Sequence, residues 1–586
     1  MSDLYTALKI KLQQAILKSF GEDYQDIDPL LRPTQDPKFG DFQANVAMSL
    51  AKALKRKPRD VAEAICTNAE LSDLCEAPEI AGPGFINLSV LPSAIADQLL
   101  TLADNDRLAI EKDSHPQTVV VDYSGPNVAK EMHVGHLRST IIGDAIAKVL
   151  EFLGHKVIRQ NHLGDWGTQF GMLIEHLIDS GWKLDAGNSI GDLNVLYQES
   201  KKRFDADENF AERARQRVVS LQGGDSETRA LWQALVKASR NYFSEVYERL
   251  DVSLQDNDAK GESSYNETLQ DTIEELSNKG LTQLDQGATV VYLPEFVGRD
   301  DKPLPLIVQK SDGGYLYATT DLACLRYRVR ELHADRVIYV TDARQSQHFA
   351  MVFKTAELAG WLNHGVKLEH VPFGSVLGED GKPFKTRSGE IVRLIQLIEE
   401  AERRALEVVS SKNPDLSASQ QQEVAETVGV GAIKYADLSS DRVKDYVFAW
   451  DRMLAMEGNT APYLQYAYTR VQSIFRKGLQ QLGNTDISGL HAAHIEIKEP
   501  IEKQLALQLF QLESILSTVA ERLEPHRLCN YLFELATLFS SFYEACPVLK
   551  AQTETSRNTR LLLCELTART LKLGLNLLGI RVLEKM

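Results

Sequence analysis

The chain has little of several things that define a class early. Its 586 residues include six cysteines, Cys66, Cys75, Cys324, Cys529, Cys546 and Cys564, and no two stand in C-x-x-C spacing. That argues against a disulfide scaffold and a cysteine-based zinc site, and suits reduced thiols in a cytosolic setting. No apolar run is long enough to span a membrane, and the opening Met-Ser-Asp-Leu-Tyr-Thr-Ala-Leu does not have the form of a signal peptide. Internal repeats and low-complexity tracts are missing. Basic residues are also in deficit: 65 Lys and Arg against 82 Asp and Glu give a net charge of −17. Taken alone, that counts weakly against a nucleic-acid partner. The deficit is uneven, however. Residues 459–586 hold 14 basic and 12 acidic residues, so this part can still present a local basic face.

What is present is ordinary globular material, 43% apolar, in a chain long enough for three or four domains. Residues 1–112 read as a small α+β module. Leu4, Leu8, Leu12 and Ile16 mark one face of a helix over 4–20, residues 37–43 read as a loop before a helix over 44–54, and 85–89 as a strand. The polar run 111–116 is a linker. Residues 117–455 alternate strands (118–123, 156–161, 336–341, 369–374) with helices (137–153, 168–180, 346–360), the pattern of a doubly wound parallel sheet. A charged helical stretch at about 186–250 interrupts it and reads as an insertion with solvated faces. Residues 456–586 run helix after helix, an all-α bundle with its widest gap expected at 480–495.

Four constellations carry chemistry. The first is Ser124-Gly-Pro-Asn127-Val-Ala-Lys130-Glu-Met-His133-Val-Gly135-His136, between an apolar strand and a helix. Strand-to-helix turns of open α/β sheets hold phosphates, because free N–H groups and the helix dipole converge there. Histidines add donors, and a glycine lets a flat base approach. Alone, the two histidines are equally ordinary helix punctuation. The second is His162-Leu-Gly-Asp165-Trp-Gly-Thr-Gln169, expected at the next strand's carboxyl end with Asp165 at the rim. The third joins Tyr317 and Asp321, four apart on a helix start, with Glu262; two carboxylates and a phenol suit a planar guanidinium. Alone, these carboxylates could equally lie apart on the surface. The fourth is the basic, glycine-bounded loop Gly381-Lys-Pro-Phe-Lys385-Thr-Arg387-Ser-Gly389, of the kind that closes on polyphosphate.

Together with Glu457-Gly-Asn-Thr-Ala-Pro-Tyr-Leu-Gln-Tyr466 and Phe542-Tyr-x-x-Cys-Pro-Val-Leu549, these residues resemble bacterial-type arginyl-tRNA synthetases of class I over nearly the whole chain. The resemblance implies a Rossmann-like catalytic domain, an N-terminal module that contacts the outer corner of tRNA(Arg), and a helical anticodon-binding domain at 456–586. It implies ATP-dependent ligation of L-arginine to the terminal 2′-OH through an arginyl-adenylate, with magnesium on the phosphates and no metal held by the protein. His133, His136 and Lys130 would be catalytic. His133, Gly135, His136, Lys385 and Arg387 would bind ATP. Asn127, Glu262, Tyr317, Asp321 and Gln345 would hold arginine, with Gln347 two residues away as an alternative to Gln345. The resemblance also implies a cytoplasmic monomer whose activation step needs bound tRNA.

One departure from class I stands out. Phe384-Lys-Thr-Arg-Ser388 replaces the usual Lys-Met-Ser-Lys-Ser, with Arg387 where the second lysine belongs; many arginyl enzymes depart similarly, and Lys130 is expected to supply that charge. Other readings are a different class I synthetase, which would need an apolar or zinc-lined pocket, a scaffold relative, which should have lost His133, His136 or Lys130, and a small nucleotidyltransferase, which would not need the helical C-terminus. Tyr463, Tyr466 and Tyr468 could stack on an anticodon loop or pack a bundle core.

Overall fold

A computed structural model of the chain describes all residues except 1–3, 35, 168, 183–192, 299–301, 363–364, 385–391 and 483–489. The N-terminal module forms as its pattern dictates. Leu4–Phe20 is helical, with Leu8, Leu12 and Ile16 no more than 1% exposed. It packs on a four-stranded antiparallel sheet that includes Phe42–Ala44 and Phe85–Leu88. The expected loop over 37–43 is therefore partly a strand, because Phe42 and Ala44 alternate into the core.

The catalytic sheet has five parallel strands: β1 (Thr118–Asp122), β2 (Lys156–Leu163), β3 (Ala259–Gly261), β4 (Arg336–Asp342) and β5 (Lys367–Phe373). Their spatial order is β5-β4-β1-β2-β3. Val119, Val120 and Val121 are fully buried, as a strand covered on both faces requires. The chain winds outward from β1 through β2 to β3, then crosses to β4 on the other side of β1. That reversal opens a crevice at the carboxyl ends of β1 and β4. Residues of several motifs follow strands at this end of the sheet: 124–136 after β1, 164–167 after β2, Glu262 after β3, Gln345 after β4 and 381–384 after β5.

Two further sheets add to the alternation read from the sequence. Residues Thr282–Asp285, Ala288–Val297 and Pro303–Gln309 form a three-stranded antiparallel sheet between β3 and β4, and Val376–Leu377 pairs with Tyr446–Val447.

The insertion is helical as expected: Leu193–Ala206, Glu208–Gly223 and Ser226–Arg249. Its reading as solvated faces is corrected. Phe210, Leu235, Phe243 and Val246 are at most 2% exposed and belong to the main core. Where Gly171 meets this insertion, an added Cβ would stand 2.0 Å from the Ala214 carbonyl oxygen, so the two helices touch backbone to backbone. Mixed charge marks the outer faces of these helices and hides a regular apolar stripe on the inner ones.

Beyond the sheet, Leu394–Lys412 and Ala418–Leu438 form a helical hairpin, and the C-terminal helices include Ala461–Leu482, Pro500–Leu509, His526–Ala545 and Glu554–Leu577. Of the interhelical loop expected over 480–495, residues 483–489 lie outside the described residues, and the preceding helix runs on to Leu482. Polar contacts tie the N-terminal module to the C-terminal helices: Lys503 pairs with Asp41 at 2.7 Å, and His491 Nδ1 lies 3.4 Å from an Asp104 oxygen.

Candidate active site

The turn after β1 leaves the sheet in a left-handed bend. Ser124, Gly125 and Ala129 have φ of 73°, 56° and 63°, and such values cost roughly 1 kcal/mol or more at each non-glycine position. Neighbouring elements hold the bend. Ser124 N–H donates to Ser139 Oγ (2.9 Å), Gly125 N–H to Asn161 Oδ1 (3.0 Å), and Ala129 N–H to Ser239 Oγ (2.9 Å).

The turn ends in the helix Val134–Phe152, and its two histidines cap that helix. His133 Nδ1 accepts the Gly135 N–H (3.0 Å), while His136 Nδ1 accepts the His133 N–H (3.1 Å). The rings lie 4.0 Å apart, centroid to centroid. Because each Nδ1 is an acceptor, each neutral ring carries its proton on Nε2 and can donate it. Burial, then the neighbouring Lys130 charge, lowers the pKa of His133. Burial, followed by His133 and Lys130, pushes His136 down to about 3. At neutral pH both are uncharged donors in fixed orientation. An added Cβ on Gly135 would stand 2.8 Å from the His133 ring, so this glycine first makes room for the histidine. Lys130 rests its ammonium 4.8 Å from the Tyr197 ring centroid, on the insertion's first helix.

Asn127 bridges to Gly164 after β2: Val128 N–H donates to the Gly164 carbonyl (3.0 Å) and Gly164 N–H to the Pro126 carbonyl (3.2 Å). A Cβ on Gly164 would stand 2.3 Å from Asn127 Oδ1. Gly164→Ala is therefore expected to displace Asn127 and to lower kcat/KM for the amino acid about tenfold or more, as misplaced positioning groups do. Unchanged kinetics would show that Asn127 does not position the substrate.

Asp165, expected at the rim, is instead buried. It accepts the Ser263 N–H (2.8 Å) and Ser263 Oγ–H (2.7 Å), tying the β2 end to the segment after β3. That tie places Glu262. Burial raises the Glu262 pKa to about 7, with Asp321 and Asp165 adding to the shift and His162 opposing it. Asp321 is thus close enough to act on Glu262 although 59 residues separate them. It lies in the helix Tyr317–Arg330, confirming the four-residue spacing from Tyr317, whose side chain is 74% exposed at the helix start.

Two residues of this pocket were not singled out from the sequence. His348 Nε2 meets Asp321 Oδ2 at 2.6 Å. Arg328, fully buried, sends Nη2 to Asp122 (2.7 Å) and Nε to Gln160 (2.9 Å), locking the helix of Asp321 to the ends of β1 and β2. His348 directly follows Gln347, named from the sequence, and that adjacency was the available signal. Arg328 looked like any helical charge. Gln345 and Gln347 are both exposed at the start of the following helix. Lys385 and Arg387 lie outside the described residues.

A Rossmann-like sheet with an imidazole-capped turn at its switch point defines the class. The chain matches the family model for class I (R) tRNA synthetase catalytic domains over residues 98–450. It also matches the arginyl tRNA synthetase N-terminal domain over 6–90 and the DALR anticodon binding domain over 464–586. It is 52% identical to the arginine–tRNA ligase of Thermobifida fusca, covering 100% of both chains. It superposes on the arginyl-tRNA synthetase of Plasmodium falciparum with TM-score 0.84 and 33% identity, and on that of Thermus thermophilus with TM-score 0.81 and 27% identity, each over 100% of both chains. The chain belongs to the arginyl-tRNA synthetases.

Proposed function

We propose that this chain ligates L-arginine to tRNA(Arg) at the crevice described above, through an arginyl-adenylate. The observation that carries the choice of amino acid is the Glu262–Asp321 pair. Two carboxylates share a partly buried site, and burial, with the neighbouring Asp321 and Asp165 carboxylates, raises Glu262 to about 7. A guanidinium, always charged and planar, satisfies both.

Asn127 holds the amino-acid end at the β1 turn, and Gln345 closes the pocket from the β4 side. Tyr317 lies over the mouth. ATP lies along the turn with its adenosine against exposed Gly135, and the Nε2–H groups of His133 and His136 point at the phosphates. Arginine's carboxylate oxygen attacks the α-phosphorus and pyrophosphate leaves. Charge spreads over phosphate oxygens in that step, where fixed neutral donors and the Lys130 ammonium stabilise it without reorganising. For Lys130 to serve, it leaves Tyr197 and turns toward the triphosphate, with Lys385 and Arg387 taken as further phosphate ligands. The 2′-OH of the terminal tRNA adenosine then attacks the adenylate carbonyl, and AMP leaves.

Among the described residues, no group of three or more His, Cys, Asp or Glu side chains is placed to hold a metal. Magnesium is taken to travel on the triphosphate, where it would neutralise leaving-group charge. In the C-terminal domain Tyr468 is core, bonded to Glu584 at 2.9 Å, whereas Tyr466 is 39% exposed beside Arg470. Tyr466 is therefore the stacking candidate for an anticodon base. We take the enzyme to act as a cytoplasmic monomer; no helix among the described residues is long and apolar enough to cross a membrane.

The test is pyrophosphate exchange with arginine or lysine, each with and without tRNA(Arg). Exchange should be arginine-dependent and at least about 1,000-fold weaker with lysine, because a misfitting ammonium leaves the buried carboxylates poorly paired. Equal exchange with lysine would overturn the pocket assignment.

A further inference from the structure

We propose that Tyr247, in the last turn of the insertion helix Ser226–Arg249, is a positioning residue for adenylation that holds the β1 turn in its reactive geometry. The proposal rests on the assignment of phosphate chemistry to that turn.

The Tyr247 side chain is 4% exposed and its hydroxyl ends among polar groups of the turn. Its Oη lies 2.7 Å from Ser124 Oγ and accepts Asn161 Nδ2–H at 2.9 Å. Ser124 Oγ lies 3.0 Å from Thr140 Oγ1, which lies 2.7 Å from the His136 carbonyl oxygen. A chain of hydroxyls therefore runs from β2, through Tyr247, to the backbone of a histidine aimed at the phosphates. Asn161 also accepts the Gly125 N–H, so the same amide anchors both the tyrosine and the bend. Ser124 has φ 73°, a conformation that persists only where the surroundings over-determine it. Tyr247 meets this strained residue from outside the sheet.

The platform under Tyr247 is itself fixed. Just past the helix, the Leu250 and Asp251 carbonyls accept the buried Lys434 ammonium at 2.7 and 3.1 Å. The helix that carries Lys434 also carries Asp437, which pairs with Arg138 at 3.1 Å. Arg138 lies two residues after His136. One helix thus pins both the tyrosine's helix and the histidines' helix, and Tyr247 closes the triangle at the turn. The insertion accordingly supplies a part of the catalytic geometry.

Tyr247→Phe removes one oxygen and keeps the packing. In tRNA-supported, arginine-dependent pyrophosphate exchange by the full chain, normalised to titrated active sites, kcat should fall about tenfold or more. The KM for arginine should stay within about threefold, because the guanidinium pocket is untouched. A merely structural tyrosine would lower the active fraction and leave kcat per site alone, so kcat within twofold of wild type overturns the proposal. A double-mutant cycle gives the second reading. If Tyr247 acts through Ser124, adding Tyr247→Phe to Ser124→Ala should change kcat less than twofold further. Losses that multiply would overturn the route through Ser124. A wild-type chain with no arginine-dependent exchange would instead overturn the reaction assignment on which this rests.

Discussion

Glu262→Gln is expected to raise the KM for arginine by about 100-fold or more and, above pH 7, to raise Tm. The binding loss follows from removing one carboxylate of a desolvated ion pair, a change that costs about 2–5 kcal/mol. Asp321 remains, but His348 already occupies one of its oxygens. The stability gain has the opposite origin. Burial raises Glu262 from 4.5 to about 7, with Asp321 and Asp165 pushing the same way and His162 opposing. A carboxyl whose folded pKa lies above its unfolded value binds its proton more tightly when folded. Its contribution is therefore complete below pH 4.5 and is lost as pH rises to about 7. Glutamine does not titrate, so the Tm difference between variant and wild type should open over that window and level off above it.

The same linkage predicts that arginine binding near pH 7 expels about half a proton. Calorimetry in buffers of different ionisation enthalpy measures this directly. A KM within fivefold of wild type, or a Tm difference independent of pH, would remove Glu262 from the pocket.

The second large effect is expected at His136. His136→Ala should slow adenylation by about 100-fold or more at saturating arginine, the usual size for one fixed donor to a transition state. The imidazole also caps its own helix, so alanine should cost about 1 kcal/mol of stability as well. His136→Asn separates the two roles. Its side-chain oxygen can accept the His133 N–H and restore Tm, while the rate stays low because the Nε2 donor is gone. Recovery of the rate by asparagine would reduce His136 to a cap. Both histidines have lowered pKa values, His136 down to about 3. His136 therefore stays neutral above pH 6 and should contribute no titration to adenylation at saturating arginine between pH 6 and 8.

How much of this was legible depended on distance along the chain. The β1 turn could be read because strand, bend and helix are contiguous, and each leaves a local mark: the Val119–Val121 run, the Gly125-Pro126 pair, the caps at His133 and His136. Glu262 and Asp321 could be joined only on chemical kind, two carboxylates suiting a guanidinium, and on resemblance, since nothing in their spacing brings them into one pocket. Asp165 was expected at the rim because it follows a strand's carboxyl end; the partner that buries it, Ser263, lies 98 residues on. The insertion was read as solvated because charge dominates its composition, whereas what matters is where Leu235, Phe243 and Tyr247 point.

The sequence by itself determined the most regular helices, four of the five parallel strands and the chemical kind of each site group. Those follow from side-chain period, β-branching and donor inventory, which are properties of neighbours. Only the tertiary structure decided that Asp321 acts on Glu262, that both histidines present Nε2, and that Tyr247 and Ser239 brace a strained turn from more than 100 residues away. Such contacts depend on how the sheet is wound and on which helix packs over which strand end. Close packing of distant side chains fixes them, and no local pattern encodes it.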